Sequence, residues 1–241
     1  MKKTLLSLLA VGSLFASGHN IWGYSGHNGP SHWGDLKSEY TMCKIGKNQS
    51  PINITNEIKA NLTPLNIYYD VKAYKFLNNG HTLKAKMKNG AKIYIDGKEF
   101  NLIQFHFHTP SENTIDGKYY PMEAHFVHST KKGELAVLAV MFKEGKYNPN
   151  LEKLTINLPK HIGEEKDISK SNLKAKDLLP GNLDYYRFNG SLTTPPCSEG
   201  VRWFVLKTPV EISKSQIDKF EKIMGKNNRP TQPINARVIL K

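Results

Sequence analysis

Two short stretches of this chain alternate residues that could bind a metal with apolar ones. In Gln104-Phe105-His106-Phe107-His108 the alternation puts Gln104, His106 and His108 on one face of a strand and Phe105 and Phe107 on the other. Glu123-Ala124-His125-Phe126-Val127 repeats the pattern, with Glu123, His125 and Val127 on a common face. Pairing the two strands would bring His125 toward the other two histidines. Three neutral imidazoles around an open fourth position are what a catalytic zinc site requires, because zinc is tetrahedral and must keep one place for water. Gln104 and Glu123 each stand two residues before a histidine, on the ligand faces, where they can accept ring N–H bonds and fix the tautomers. His128 falls on the face opposite His125 and receives no ligand role. The histidine spacing alone fits a cupin or another metal-binding β-barrel equally well.

Short aromatic or β-branched runs surround these stretches. They predict strands over 65–69, 74–77, 82–87, 92–95, 101–107, 122–128 and 136–142, separated by turn signals such as Asn79-Gly80, Asn89-Gly90, Asp96-Gly97 and Asp116-Gly117. Further strands are expected over 185–188, 202–206 and 237–240. Helical spacing marks 151–158 and 213–224, the second opening on Ser213 as N-cap with Gln216 three residues later. Residues 19–51 mix Gly, Asn, His and Trp without a period and read as an irregular arm laid over the core. The expected fold is mainly β, a single domain with a large central, mostly antiparallel twisted sheet flanked by short surface helices.

The chain has 241 residues, 39% hydrophobic and 23% charged, a balance that excludes disorder and a disulfide-dense mini-protein. Its formal charge of +13 raises nucleic acid as a partner, but the lysines are scattered and no nucleic-acid motif is present, so none is expected. The first eighteen residues, with Lys2 and Lys3 before an apolar run and Ala16-Ser17-Gly18 at its end, read as a secretory signal, with a cut after Ala16 as the alternative. Residues 19–241 would then be the mature domain, periplasmic or secreted, with no later transmembrane segment. Losing Lys2 and Lys3 lowers the charge only from +13 to +11, so the basic surface persists and suggests weak association with an anionic envelope surface. In an oxidising compartment the two cysteines, Cys43 and Cys197, favour one disulfide, against the alternative of two buried thiols.

Longer blocks point to one family. The segment from Gln104 through Ser111-Glu112-Asn113-Thr114-Ile115 to Val127 resembles the signature of α-class carbonic anhydrases. Asn48-Gln49-Ser50-Pro51-Ile52-Asn53-Ile54, Asn79-Gly80-His81, Gly190-Ser191-Leu192-Thr193-Thr194-Pro195-Pro196-Cys197 and Asn228-Arg229-Pro230-Thr231-Gln232-Pro233 are similar to further blocks of that family, in the same order. The short leader resembles the exported bacterial branch, and residues 158–180 carry no family motif.

The resemblance implies a zinc enzyme that interconverts carbon dioxide and bicarbonate, with His106, His108 and His125 as ligands of Zn(2+). Carbonic anhydrase is itself the standard example of zinc lowering the pKa of bound water to about 7, which makes hydroxide available to attack carbon dioxide. By the same resemblance Thr193 accepts the hydroxide's hydrogen bond and Glu112 accepts the threonine proton. Val127, Val137, Leu192, Thr193, Thr194, Val201 and Trp203 match the substrate pocket, and His81 matches the proton shuttle, a role suited to a pKa near 6.5. Tyr24 and Asn79 match positions that order the connecting waters, and Cys43 and Cys197 match the disulfide of exported members. Esterase action on activated esters is an expected side reaction, and a homodimer is compatible with the chain. The competing reading is a catalytically silent zinc-binding or adhesion module that kept the fold; the complete set of His106, His108, His125, Thr193 and Glu112 argues against it.

Overall fold

The computed structural model describes residues 21–241; the expected signal segment lies outside them. The described residues build thirteen strands: β1 (Asn53–Ile54), β2 (Asn66–Tyr68), β3 (Ala73–Asn78), β4 (Leu83–Met87), β5 (Lys92–Ile95), β6 (Lys98–His108), β7 (Thr114–Ile115), β8 (Met122–Ser129), β9 (Leu135–Glu144), β10 (Glu165–Asp167), β11 (Tyr185–Ser191), β12 (Glu199–Leu206) and β13 (Val210–Ile212). Eleven of them form one sheet in the order β10-β3-β4-β6-β8-β9-β12-β11, with β5 joined to β6 and β2, and β13 to β9. Its pairings are antiparallel except β12 with β9 and β13 with β9. Four short α-helices decorate it: α1 (Trp33–Leu36), α2 (Met42–Ile45), α3 (Pro149–Thr155) and α4 (Lys214–Met224). The expected capping box at Ser213 and Gln216 is present at the start of α4.

The sheet separates two apolar layers. On β9, Ala136, Leu138, Val140 and Phe142 enter the larger core under α3 and α4, whereas Val137, Ala139 and Met141 enter a second cluster with Val201, Trp203 and Phe188. A strand covered on both faces needs a continuous apolar run, which is what Ala136 to Phe142 supplies.

In β6 the phase of burial changes partway. Phe100 and Leu102 are buried in the larger core, and so are Phe105 and Phe107, although the two pairs differ in parity. A β-bulge between Leu102 and Gln104 absorbs the extra residue and leaves Ile103 exposed. Before the bulge β6 pairs with β5, and after it with β4.

The strand expected over 237–240 is not formed. Arg237 turns back, its backbone N–H donating to Ile234 O at 3.2 Å and its guanidinium to the carbonyls of Ile234, Pro233 and Asn189. Only Leu240 reaches sheet pairing, as isolated bridges to Arg187 and Ile58. Residues 158–180, without a motif, contribute the edge strand β10 and 3-10 turns.

Gly190 on β11 marks a close approach. A Cβ there would stand 2.1 Å from Ser50 Oγ and 3.0 Å from the Trp203 ring, and the Ser50 hydroxyl is held in place because it accepts the Ser191 N–H at 3.1 Å. Gly190→Ala is therefore expected to cost about 1–3 kcal/mol of folding free energy, read as a lower urea midpoint. An unchanged midpoint would show that this contact gives way freely.

Candidate metal centre and cavity

Beyond the bulge the polar set of β6 faces the smaller apolar layer. His106 is the direct partner of His125 on β8, Gln104 of Val127, and His108 of Glu123. The register therefore stacks the three histidines on one face, and one nitrogen from each lies within 4.8 Å of the others. Tetrahedral zinc with bonds of about 2.0–2.1 Å needs its nitrogens about 3.3 Å apart, so only a small closure separates the set from coordination.

The remaining ring nitrogens are engaged by fixed partners. His106 Nδ1 lies 2.9 Å from Gln104 Oε1 and His108 Nδ1 2.7 Å from the Asn227 carbonyl. His125 Nε2 lies 2.9 Å from Glu123 Oε1, a close ion-pair contact outside hydrogen-bond geometry. Each partner is an acceptor, so each engaged nitrogen carries the proton and leaves the other, at His106 Nε2, His108 Nε2 and His125 Nδ1, as a bare lone pair. His108 Nε2 is buried with no hydrogen-bond partner among the described residues. Burial holds His106 well below the ordinary histidine pKa, helped by His108, His125 and Lys84, and burial also lowers His108. Neutral imidazoles in an all-nitrogen set are the donor chemistry that zinc takes.

Two buried carboxylates lie behind the histidines. Glu123 accepts the backbone N–H groups of Glu112 and Asn113 at 2.7 and 2.9 Å and the Asn113 amide at 2.7 Å. Burial alone would raise its pKa, but His125 and these donors outweigh it and hold the carboxyl below the usual range. Glu112 accepts the Arg229 N–H at 2.8 Å, and its Oε2 is 3.4 Å from His108 Nε2 and 3.8 Å from His125 Nδ1. Burial pushes it up to about 7, against the opposing influence of His125, the Arg229 N–H and the nearby Thr193 side chain. A divalent cation beside it would favour the carboxylate and draw that value down.

Thr193 is buried in the loop that joins β11 to β12. The loop is tied from outside: Ser191 Oγ accepts the Ser50 N–H at 2.8 Å, Cys197 is disulfide-bonded to Cys43 of α2, and Gln49 Nε2 donates to Cys197 O at 3.0 Å. Thr194 O accepts the Cys197 N–H at 2.8 Å, closing a turn. Val127, Val137, Val201 and Trp203 form one apolar wall with Leu192. Cross-strand register explains it, since Val127 pairs with Val137 and Val137 with Trp203. The Trp203 ring also meets His125 edge to face at 5.0 Å.

His81 lies apart from the three-histidine set, half-buried and stacked on Trp22 at 3.6 Å, and burial lowers its pKa. Asn79 Oδ1 accepts the N–H groups of His81 and Thr82, so that oxygen shapes the turn. Tyr24 Oη is buried without a hydrogen-bond partner among the described residues, and burial, then Glu112, raises its pKa well above the ordinary value.

Three participants were not singled out from the sequence. Asn227 ties the cavity together by accepting from Thr109 N and donating to the carbonyls of His81 and Phe107. Asn113 anchors Glu123. The buried Arg229 guanidinium donates to Gln49 Oε1, Ser50 O and Cys43 O. In the sequence Asn113 and Arg229 stood inside family-like blocks without a role of their own, and Asn227 directly preceded one.

Residues 28–241 match the family model described as eukaryotic-type carbonic anhydrase. A carbonic anhydrase of Klebsiella pneumoniae is 48% identical, with 98% of this chain and 95% of the relative covered. One of Pectobacterium atrosepticum is 45% identical, covering 98% and 96% respectively. Among solved structures, the α-carbonic anhydrase of Thermovibrio ammonificans in complex with the inhibitor sulfanilamide is 55% identical, covering 93% of this chain and all of that one, with a TM-score of 0.89.

His128 turns away from this cavity into the larger core, where it stacks on Tyr69, is hydrogen-bonded to the Tyr69 hydroxyl and lies 3.2 Å from Ala136 O through Nδ1. Burial pushes its pKa down from 6.5 to about 4. Between those values the unfolded chain takes up a proton that the fold refuses, so stability is lost as pH falls through that window, by about 3 kcal/mol at its lower end. His128→Gln, which keeps both hydrogen-bonding partners but cannot titrate, should flatten this part of the stability–pH curve. Parallel wild-type and variant curves in urea would remove His128 as the cause.

Proposed function

The chain belongs to the eukaryotic-type carbonic anhydrase family, whose activity is the reversible hydration of carbon dioxide, and from this we propose how its residues carry out that reaction. His106, His108 and His125 would hold one zinc ion through His106 Nε2, His108 Nε2 and His125 Nδ1. The observation that carries this is the unpartnered, buried His108 Nε2, in a set where His106 Nδ1 and His108 Nδ1 are already hydrogen-bonded and His125 Nε2 faces the Glu123 carboxylate. When bound, zinc supplies the nucleophile by lowering the pKa of its water to about 7, an effect for which carbonic anhydrase is the standard example.

The protein's own part is orientation, exclusion and proton transfer. A hydroxyl donates once, so a Thr193 hydroxyl committed to an ionised Glu112 can only accept from the attacking oxygen, which turns that oxygen's lone pair toward the carbon. Arg229 N–H keeps Glu112 in place from behind. Val127, Val137, Leu192, Val201 and Trp203 offer an uncharged linear substrate an apolar wall, with Thr194 at its polar margin. His81 takes the proton released in each cycle and passes it to buffer; its lowered pKa keeps it neutral, and able to accept, at pH 7. Tyr24 and the Asn79 amide would order the waters between.

We also read the chain as exported to the periplasm or medium. The Cys43–Cys197 disulfide supports an oxidising compartment. No helix of the described residues is long and apolar enough to cross a membrane.

The purified protein should carry one equivalent of zinc and hydrate carbon dioxide in stopped flow, and chelation should abolish the rate until zinc is returned. A zinc-loaded protein with no rate would favour the silent-module reading. His81→Ala is expected to lower turnover by about tenfold to a hundredfold in dilute buffer, with partial rescue by imidazole. A rate that stays unchanged at low buffer would take His81 out of the proton path.

A further inference from the structure

β4 places a lysine on the cavity side of the sheet. Lys84 is the direct cross-strand partner of His106 and, on its other side, of Leu77 of β3. Directly opposed residues share a face, with Cβ atoms about 4.5–5.5 Å apart. Lys84 therefore faces the histidines, while Leu83 and Ala85 fill the core behind. It is half-buried, and burial, followed by Lys86, holds its pKa below the ordinary lysine value. Its charge is close enough to act on the His106 ring.

The neighbouring lysines are neutralised and Lys84 is not. On the same face Glu165 of β10 pairs with both Lys75 and Lys86. Among the described residues Lys84 has no ion pair and no hydrogen bond. A partly desolvated cation with no partner is costly for the fold and favourable for any small anion that enters the space it faces.

We infer that Lys84 is a binding residue for the anionic species of this site, a monovalent oxyanion such as bicarbonate, and that it takes no part in capturing neutral carbon dioxide. The geometry divides the cavity accordingly. One row across the sheet runs Leu77, Lys84, His106, His125 and Ala139, and a second runs Lys86, Gln104, Val127, Val137 and Trp203. The cation and the apolar wall thus lie on opposite flanks of the histidines, so anion and neutral gas are held by different residues. This assignment rests on the carbonic anhydrase reading above.

The test is equilibrium anion binding to the zinc-loaded protein. Thiocyanate, a monovalent anion that the enzyme does not convert, is titrated calorimetrically into wild type, Lys84→Gln, Lys84→Arg and Lys86→Gln. Lys84→Gln should weaken binding by about threefold to tenfold, and Lys84→Arg should restore it. Lys86→Gln removes the same charge from an existing ion pair and should shift the affinity by less than about twofold. The KM for bicarbonate should follow the same order. Equal affinity in wild type and Lys84→Gln, or an equal loss in Lys86→Gln, would overturn the assignment. Zinc content and carbon dioxide hydration of the wild type, measured on the same preparation, keep the two claims apart. Zinc and turnover with flat anion affinities defeat only the role of Lys84, whereas absence of both defeats the reading beneath it.

Discussion

The single residue gained at the bulge in β6 determines which way the cavity faces. Without it, Gln104, His106 and His108 would continue the parity of Phe100 and Leu102, and the three polar side chains would point into the larger core. With it, Phe105 and Phe107 join Phe100 and Leu102 in that core, and the ligand-bearing face turns to the opposite side. A one-residue change of phase moves a whole side-chain set across a sheet, so the register of β6 with β8 has meaning only after the bulge. Everything else at the site, from the engaged ring nitrogens to the apolar wall, is built on that turned face.

Burying so many polar groups would be ruinous if they were left unpaired. The structure meets this with a closed set of donors and acceptors drawn from distant parts of the chain. Glu123 receives three donors from Glu112 and Asn113, so a charge that burial disfavours remains ionised and can hold His125. Asn227 uses its carbonyl for His108 and its side chain for Thr109, His81 and Phe107. Arg229 joins α2 and the Gln49-Ser50 segment to the Glu112 carboxylate. Half-satisfied networks are worse than apolar cores, and two of the groups left open, His108 Nε2 and Glu112 Oε2, lie 3.4 Å apart where a ligand would complete them.

The strands and turns were legible because their signals are local. Alternation marked β6 and β8, Asn-Gly and Asp-Gly pairs marked the hairpins, and Ser213 with Gln216 marked the start of α4. The ligand faces were legible for the same reason, since period-two arithmetic holds within each strand after the bulge. The bulge itself was not, because Leu102-Ile103-Gln104 carries no glycine or other marker, and only the burial of Phe100, Leu102, Phe105 and Phe107 in one core reveals it. Residues 237–240 were misread because their short, mostly β-branched run, Val238-Ile239-Leu240, is real, yet Arg237 spends its donors on a turn instead of a ladder. Asn113, Asn227 and the Arg229 guanidinium were invisible as participants because their partners lie from 10 to 186 residues away, and no spacing rule reaches that far. The positions of Thr193, Glu112 and His81 came from resemblance to a family and not from periodicity.

Thr193 shows why closure of the chain matters as much as the strands. It belongs to a connection between β11 and β12 that would, by itself, be free to shift, and an ångström of misplacement is enough to spoil an oriented hydrogen bond. Three constraints from one side hold it: the Ser50–Ser191 exchange, the Gln49 amide on Cys197 O, and the disulfide to α2. Arg229 fastens the same N-terminal segment to Glu112 through its backbone N–H and guanidinium. Thr193 and Glu112 are therefore referenced to one common element, residues 43–50, and not merely to each other. Glu112 is also fastened to the sheet, because its own N–H donates to Glu123 Oε2 of β8 at 2.7 Å, so the arm and the histidine-bearing strands grip the same residue from two sides.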